Sequence, residues 1–182
     1  MTASSSRGLY APGFERDSCG FGLIANLDNR ASRGLVTAAL TALSRLAHRG
    51  AVGGDGRSGD GCGLLIHRPE VFLRVVAAEA GLALGTNFAA GMVFLPTDPA
   101  AAAQARDALA AALTAQGLHV AGWRVVPVSL DDCGPIALQG MPRIEQVFVD
   151  ADEALLTMDF ERALYLARRA AEKTLAGHDE FY

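Results

Sequence analysis

Apolar positions change their period several times along this chain, and each change marks a predicted element. From Gly20 to Leu27 the run GFGLIANL is short, apolar and rich in small residues, the pattern of a buried strand. Asp28, Asn29 and Arg30 supply the turn that ends it. Ser32 is placed as an N-cap, and Val36, Ala39, Leu40, Leu43 and Ala47 then recur at helical spacing until Gly50. The glycine-rich stretch GAVGGDGRSGDGCG, residues 50–63, breaks the period and reads as a loop. LLIH, residues 64–67, predicts a second strand, and Pro69 opens a helix that runs to about Glu79.

Beyond Glu79 the rhythm alternates between strand and helix. GMVFLP, residues 91–96, predicts a strand, and Asp98-Pro99 forms an N-cap and first-turn pair for an alanine-rich helix through Leu113. Gly117 ends that helix, and HVAGWRVVPV, residues 119–128, predicts another strand; such a strand–helix–strand unit covers one face of a sheet. IEQVFVD, residues 144–150, is a further strand. DFERALYLARRAAEKTLAG is a last helix, capped by Asp159 and closed by Gly177. The sequence stops at Tyr182, straight after that helix and on aromatic residues resembling the start of a strand, the expectation being a truncated domain.

Composition narrows the function classes. A chain of 182 residues suffices for one domain, since domains hold roughly 100–200 residues. Half of it is hydrophobic and a fifth charged, which is globular rather than disordered. The net charge of -4 and scattered arginines give no footprint for nucleic acid or an anionic membrane. No apolar run approaches the ~20 residues of a membrane span, and residues 1–18 carry four charges with no apolar core of a secretory signal. Cys19, Cys62 and Cys133 are widely spaced with no paired-cysteine motif, so they read as reduced thiols of a cytoplasmic protein, with no metal site.

Cys19 is the first candidate for chemistry. It lies between a polar leader, residues 1–18, and the small-residue strand. With the leader removed it carries a free α-amino group beside its own thiol. An α-amino group in model peptides has a pKa of roughly 8, so such an amine can serve as the thiol's general base close to neutrality. Gly20 leaves room for a substrate at the sulfur. The bland account of Cys19 is a buried structural cysteine at a strand start. His48-Arg49-Gly50 likewise has two accounts. Basic residues at the end of a helix complement its dipole, with Gly50 as the residue beyond the cap. Arg49 at the mouth of the glycine-rich loop is also placed to orient a substrate amide or the Cys19 terminus. The loop lacks the GxxxxGK[ST] phosphate motif and the closing Glu of a calcium loop. Its glycines admit positive φ and close packing, and Asp55 and Asp60 are turn acceptors. His67, His119 and His178 are isolated, Cys62 and Cys133 read as core or loop thiols, and Trp123 is placed in the core.

Taken in order, LYAPGFERDSCGFGLIANL, ALTALSRLAHRGAVGGDGRSGDGCGLLIH, GWRVVPV, CGPIALQGMPRIEQVFV and DFERALYLARRAAE resemble the N-terminal part of the glutamate synthase large subunit. The resemblance covers nearly the whole chain. It implies a class II glutamine amidotransferase of the N-terminal-nucleophile type, an α+β fold of two stacked antiparallel sheets between helical layers (αββα), here only its first part. It implies a leader over residues 1–18, with the domain from residue 19 onward. Cys19 would be the nucleophile that releases ammonia from glutamine through a thioester, with Arg49 and Gly50 beside it. The ammonia would travel to a synthase site. No cofactor is expected in this segment; FMN and an iron–sulfur cluster belong to the rest of a full-length glutamate synthase.

Two departures from the family pattern matter. The glutamine-carboxylate arginine, an Asn-Gly oxyanion donor and an amine-binding Asp come further along the family's domain, and this sequence has no Asn-Gly dipeptide. With residues 1–18 attached, the Cys19 nitrogen is a peptide amide and cannot act as a base. The alternative expectation is a non-catalytic fragment or interaction module that pairs bare sheet edges with a complementary chain or subunit.

Overall fold

The structure, a computed structural model, describes residues 20–59, 61–152, 155 and 157–176. Two compact units divide the chain, Met1–Leu65 and Ile66–Tyr182.

In the first unit the helix expected after Ser32 forms as α1, Arg33–Arg45, and the Ser32 hydroxyl accepts from the Leu35 amide at 3.1 Å. That bond satisfies one of the orphan donors of the helix start. Leu35, Val36, Ala39, Leu43 and Leu46 form its half-buried stripe. The helix ends at Leu46, and the chain tightens into one 3-10 turn, Ala47–Arg49, through an Arg49 N–H bond to the Leu46 carbonyl at 2.8 Å.

The first predicted strand does not form. Residues 20–26 have no ladder partner among the described residues, and Phe21 and Leu27 are 93% and 100% exposed. The expected turn is present: the Asn29 amide donates to the Asn26 carbonyl at 3.1 Å, and Asn29 takes a positive φ of 53°. The strand expected over residues 64–67 is also absent, and Leu65 is exposed. Apolar runs become strands only where a neighbour takes their N–H and C=O groups, and no described residue does so here.

The second unit is a three-stranded antiparallel sheet with helices on both faces. Its elements are α2 (Glu70–Glu79), β1 (Phe88–Leu95), α3 (Pro99–Ala115), β2 (His119–Val125), α4 (Pro135–Gln139), β3 (Arg143–Asp150) and α5 (Thr157–Thr174). The sheet order is β1-β3-β2. β3 runs antiparallel to both neighbours, with Phe88 opposite Asp150, Leu95 opposite Arg143 and Trp123 opposite Val147. β1 and β2 are therefore parallel, and α3 carries the chain across the place that β3 fills. The predicted strand–helix–strand unit is present, but split by a strand made later.

Side chains alternate between faces with period two. Val93, Leu95, Val147 and Val149 meet buried residues of α3 (Ala102, Ala105, Leu113) and of α5 (Phe160, Ala167, Ala171). Phe88 and Phe148 turn the other way and pack on Leu73, Val76 and Ala77 of α2. Asp98 caps α3, its carboxylate accepting from the Ala101 amide at 2.8 Å, with Pro99 at the first helical position as expected. Gly117 takes φ 74° after that helix.

Several boundaries differ from the sequence reading, among them β2, which ends at Val125 rather than at residue 128, and one short helix, α4, was not expected. β1 starts at Phe88 rather than Gly91, because pairing with Val149 and Asp150 recruits Phe88 and Ala89, although alanine disfavours strands. α4 is five residues long, too short for a periodic signal. α5 starts at Thr157, so Asp159 lies in its first turn rather than at its cap, still beside the positive end of the helix dipole. Gly177, the expected closing residue, lies outside the described residues.

Candidate active site around Arg49 and Gly50

The 3-10 turn that ends α1 holds Arg49 and Gly50 by short-range backbone bonds. The Gly50 amide donates to the Ala47 carbonyl at 3.2 Å, and His48 Nδ1 lies 3.0 Å from the Arg45 carbonyl. Gly50 has φ -90° and ψ 145°. That is extended backbone, not the left-handed conformation expected of a residue beyond a helix cap, so glycine is not needed there for its φ. The reason for the difference is the inserted 3-10 turn, which satisfies the carbonyls that a left-handed cap would otherwise take.

Cys19 lies outside the described residues, but its neighbour Gly20 does not. A Cβ built on Gly20 would stand 3.4 Å from Arg49 Cγ, 3.5 Å from Arg49 Cβ and 3.8 Å from Arg49 Nε. The chain at Gly20 therefore runs against the Arg49 side chain. Two candidates that the sequence separates by some thirty positions, Gly20 and Arg49, are brought into contact within one unit.

The glycine-rich loop is more ordered than its composition foretells. Val52 and Gly59 form an antiparallel bridge, and the Gly53 amide donates to the Ser58 carbonyl at 2.5 Å. At the tip, Asp55 Oδ1 accepts from the Arg57 amide at 3.0 Å and the Ser58 amide at 2.7 Å, while Oδ2 accepts from the Ser58 hydroxyl at 2.5 Å. Asp55 is thus the turn acceptor expected, and Ser58 is buried beneath it. Asp60 lies outside the described residues. Gly56 takes φ 70° at the turn. Gly59 is favoured for a different reason: a Cβ there would sit 3.2 Å from the Ala51 carbonyl oxygen, a tight contact. The Asp55–Ser58 latch was the feature least visible in sequence, its signal being only an Asp three residues before a Ser amid glycines.

The remaining candidates lie elsewhere. Cys62 is exposed, and Cys133 is half-buried with its thiol 3.5 Å from the Ser129 carbonyl. Trp123 packs at the margin of the larger core, with the Arg106 guanidinium 6.0 Å from its ring centre. His178 lies outside the described residues. Among the described residues no group of His, Cys, Asp and Glu could hold a metal ion, and no helix is long and apolar enough to cross a membrane. A shallow open depression in the second unit, lined by Ile66, Arg68, Leu73, Phe88 and Leu164, contains none of the candidate residues.

Comparison with known proteins decides the family. Residues 19–182 match the model of the class-II glutamine amidotransferases. The chain belongs to that family. Among its relatives, ferredoxin-dependent glutamate synthase 1 of Arabidopsis thaliana is 43% identical over 166 residues, which are 89% of this chain and 10% of that protein. The large chain of NADPH glutamate synthase from Bacillus subtilis (strain 168) is 36% identical over 168 residues, 92% of this chain and 11% of that one. Its counterpart in Azospirillum brasilense is 35% identical over 184 residues, 99% of this chain and 12% of that one. This class-II amidotransferase chain thus spans about a tenth of the length of those relatives. Its mixed helices and small antiparallel sheet agree with the α+β class read from sequence.

Proposed function

We propose that the chain is the glutamine-hydrolysing part of a glutamate synthase, with Cys19 as its N-terminal nucleophile. The observation that carries this reading is the contact between Gly20 and Arg49, in a family whose match begins at Cys19. Removal of residues 1–18 would free the Cys19 amine. That amine takes the thiol proton, and the sulfur attacks the side-chain carbonyl carbon of glutamine. As the tetrahedral centre collapses, the C–N bond breaks and the amine returns the proton to departing ammonia, leaving a thioester on Cys19. Water then cleaves the C–S bond to give glutamate and restore the thiol. Arg49 contacts Gly20, the residue after Cys19 in sequence, and in this reading its fixed fork of donors orients either the amine or the substrate amide.

In this reading the described elements belong to the αββα sandwich of N-terminal-nucleophile enzymes. Ammonia passes to a synthase site built by other sequence, where FMN and iron–sulfur chemistry also reside. The reaction takes place in the cytoplasm. Glutamine-dependent ammonia release tests the proposal: it should vanish in Cys19→Ala and persist in Cys62→Ala. Equal release by Cys19→Ala would overturn it.

The exposure of Phe21, Leu23, Leu27 and Leu65 supports a second reading, in which a complementary chain or subunit covers these residues. It predicts an assembly larger than one chain by sedimentation at micromolar concentration. A purified chain that stays monomeric and soluble, with these side chains bare, would refute it.

A further inference from the structure

The geometry points to Asp55 as a positioning residue for the site around Arg49 and Gly50, an inference that rests on the glutaminase reading above. The backbone at Arg49 and Gly50 is held on its upstream side by the 3-10 turn, through Arg49 N–H to Leu46 and Gly50 N–H to Ala47. Neither bond fixes the direction in which the chain leaves Gly50. That direction is set downstream, where Ala51, Val52 and Gly53 form one arm of the hairpin and Ser58 and Gly59 the other. Gly59 lies close to the Ala51 carbonyl, so a Cβ there would press on its oxygen at 3.2 Å.

Backbone bonds close the hairpin, Gly53 N–H to the Ser58 carbonyl at 2.5 Å and Gly56 N–H to the Gly53 carbonyl at 2.9 Å, and the Asp55 carboxylate adds a side-chain clasp to them. One oxygen collects two backbone amides, and the other takes the hydroxyl of buried Ser58. A carboxylate accepting several hydrogen bonds in a short turn is a stronger clasp than a neutral turn, since bonds to an ionised acceptor are roughly twice as strong. The segment otherwise contains Gly53, Gly54 and Gly56, whose backbone freedom would let the arms splay. Without the clasp, the Ala51 arm loses its register with Gly59, and the path of the chain at Gly50 becomes loose beside the nucleophile. The consequence is chemical rather than global. A displacement of about 1 Å in a positioning group costs up to ~10²-fold in rate, whereas opening an eight-residue surface hairpin leaves the core of the second unit untouched.

The test uses two reagents on the full chain. Iodoacetamide, followed on the peptide that holds Cys19 because exposed Cys62 reacts as well, reads the thiol's own reactivity; a diazoketone analogue of glutamine must also be seated as a substrate. Asp55→Ala should lower the Cys19 labelling rate by the diazoketone about tenfold or more, leave iodoacetamide labelling close to wild type, and leave the melting temperature within a degree or two of wild type. Asp55→Asn keeps an oxygen for the two amides and should recover most of the rate. Unchanged diazoketone labelling in Asp55→Ala would overturn the proposal, and so would parallel loss with both reagents or no recovery in Asp55→Asn. A wild-type chain that takes iodoacetamide at Cys19 but never the diazoketone would instead sink the glutaminase reading, and this inference with it.

Discussion

Gly20 lies against Arg49, with only 3.4 Å between the position a Cβ would take on the glycine and the Cγ of the arginine. At that distance a methyl group makes an ordinary van der Waals contact with the arginine stem; a branched side chain adds atoms that must displace it. Gly20→Ala should therefore keep glutaminase activity within a few-fold of wild type, while Gly20→Val lowers kcat/KM by about tenfold or more. Steady-state ammonia release by both variants checks this. Equal activities would show that the contact has no bearing on the site.

Glu145 is 1% exposed in the sheet and is met by the guanidinium groups of Arg106 and Arg143. The two arginines remain about a third or more exposed and can turn to water, whereas the carboxylate cannot. Removing the partners should thus cost more than removing the acid. The double variant Arg106→Ala/Arg143→Ala strands a buried charge and should lose about 3–5 kcal/mol. Glu145→Gln should lose roughly 1.5–3 kcal/mol, about that of a hydrogen bond to a charged group. Urea unfolding of the two variants tests the order; a larger loss in Glu145→Gln would contradict it.

Gly122 faces Leu82 so closely that an added Cβ would stand 2.3 Å from Leu82 Cδ2 and 2.8 Å from Cδ1. Leu82 packs against the cluster of Phe88 and Phe148, so it cannot simply swing away. Gly122→Ala should destabilise the second unit by about 1–3 kcal/mol through overpacking. Leu82→Ala in the same background should return part of that loss, and thermal unfolding of the single and double variants reads it.

Asp98 caps the helix that supplies Ala102, Ala105 and Leu113 to the larger core. Asp98→Ala should cost about 1 kcal/mol in global unfolding, with Asp98→Asn or Asp98→Ser close to neutral. Circular dichroism at rising urea concentration distinguishes the three.

Local chemistry made much of this molecule readable in sequence. Ser32 and Asp98 have side-chain oxygens at the right distance from the next amides, Pro99 suits a first turn, and Gly117 suits a left-handed stop; each acts within a few residues. What depends on distant partners was not readable. GFGLIANL and LLIH carry the composition of strands, yet no backbone among the described residues pairs with them, and they form none there. Insertion of β3 between β1 and β2 is likewise a tertiary choice, invisible in any single segment. At the site, Cys19, Arg49 and Gly50 were singled out by residue type and resemblance. The approach of Gly20 to Arg49 and the Asp55–Ser58 clasp required coordinates, because glycine spacing alone says nothing about which atoms come close.

The most direct test of the account is to locate the covalent adduct formed with a glutamine-like electrophile. After treatment with the diazoketone analogue, digestion and mass spectrometry should find the label on a peptide whose first residue is Cys19, with none on Cys62 or Cys133. A label on either of those cysteines, or a fully reactive chain still bearing residues 1–18, would contradict the assignment of Cys19 as an N-terminal nucleophile.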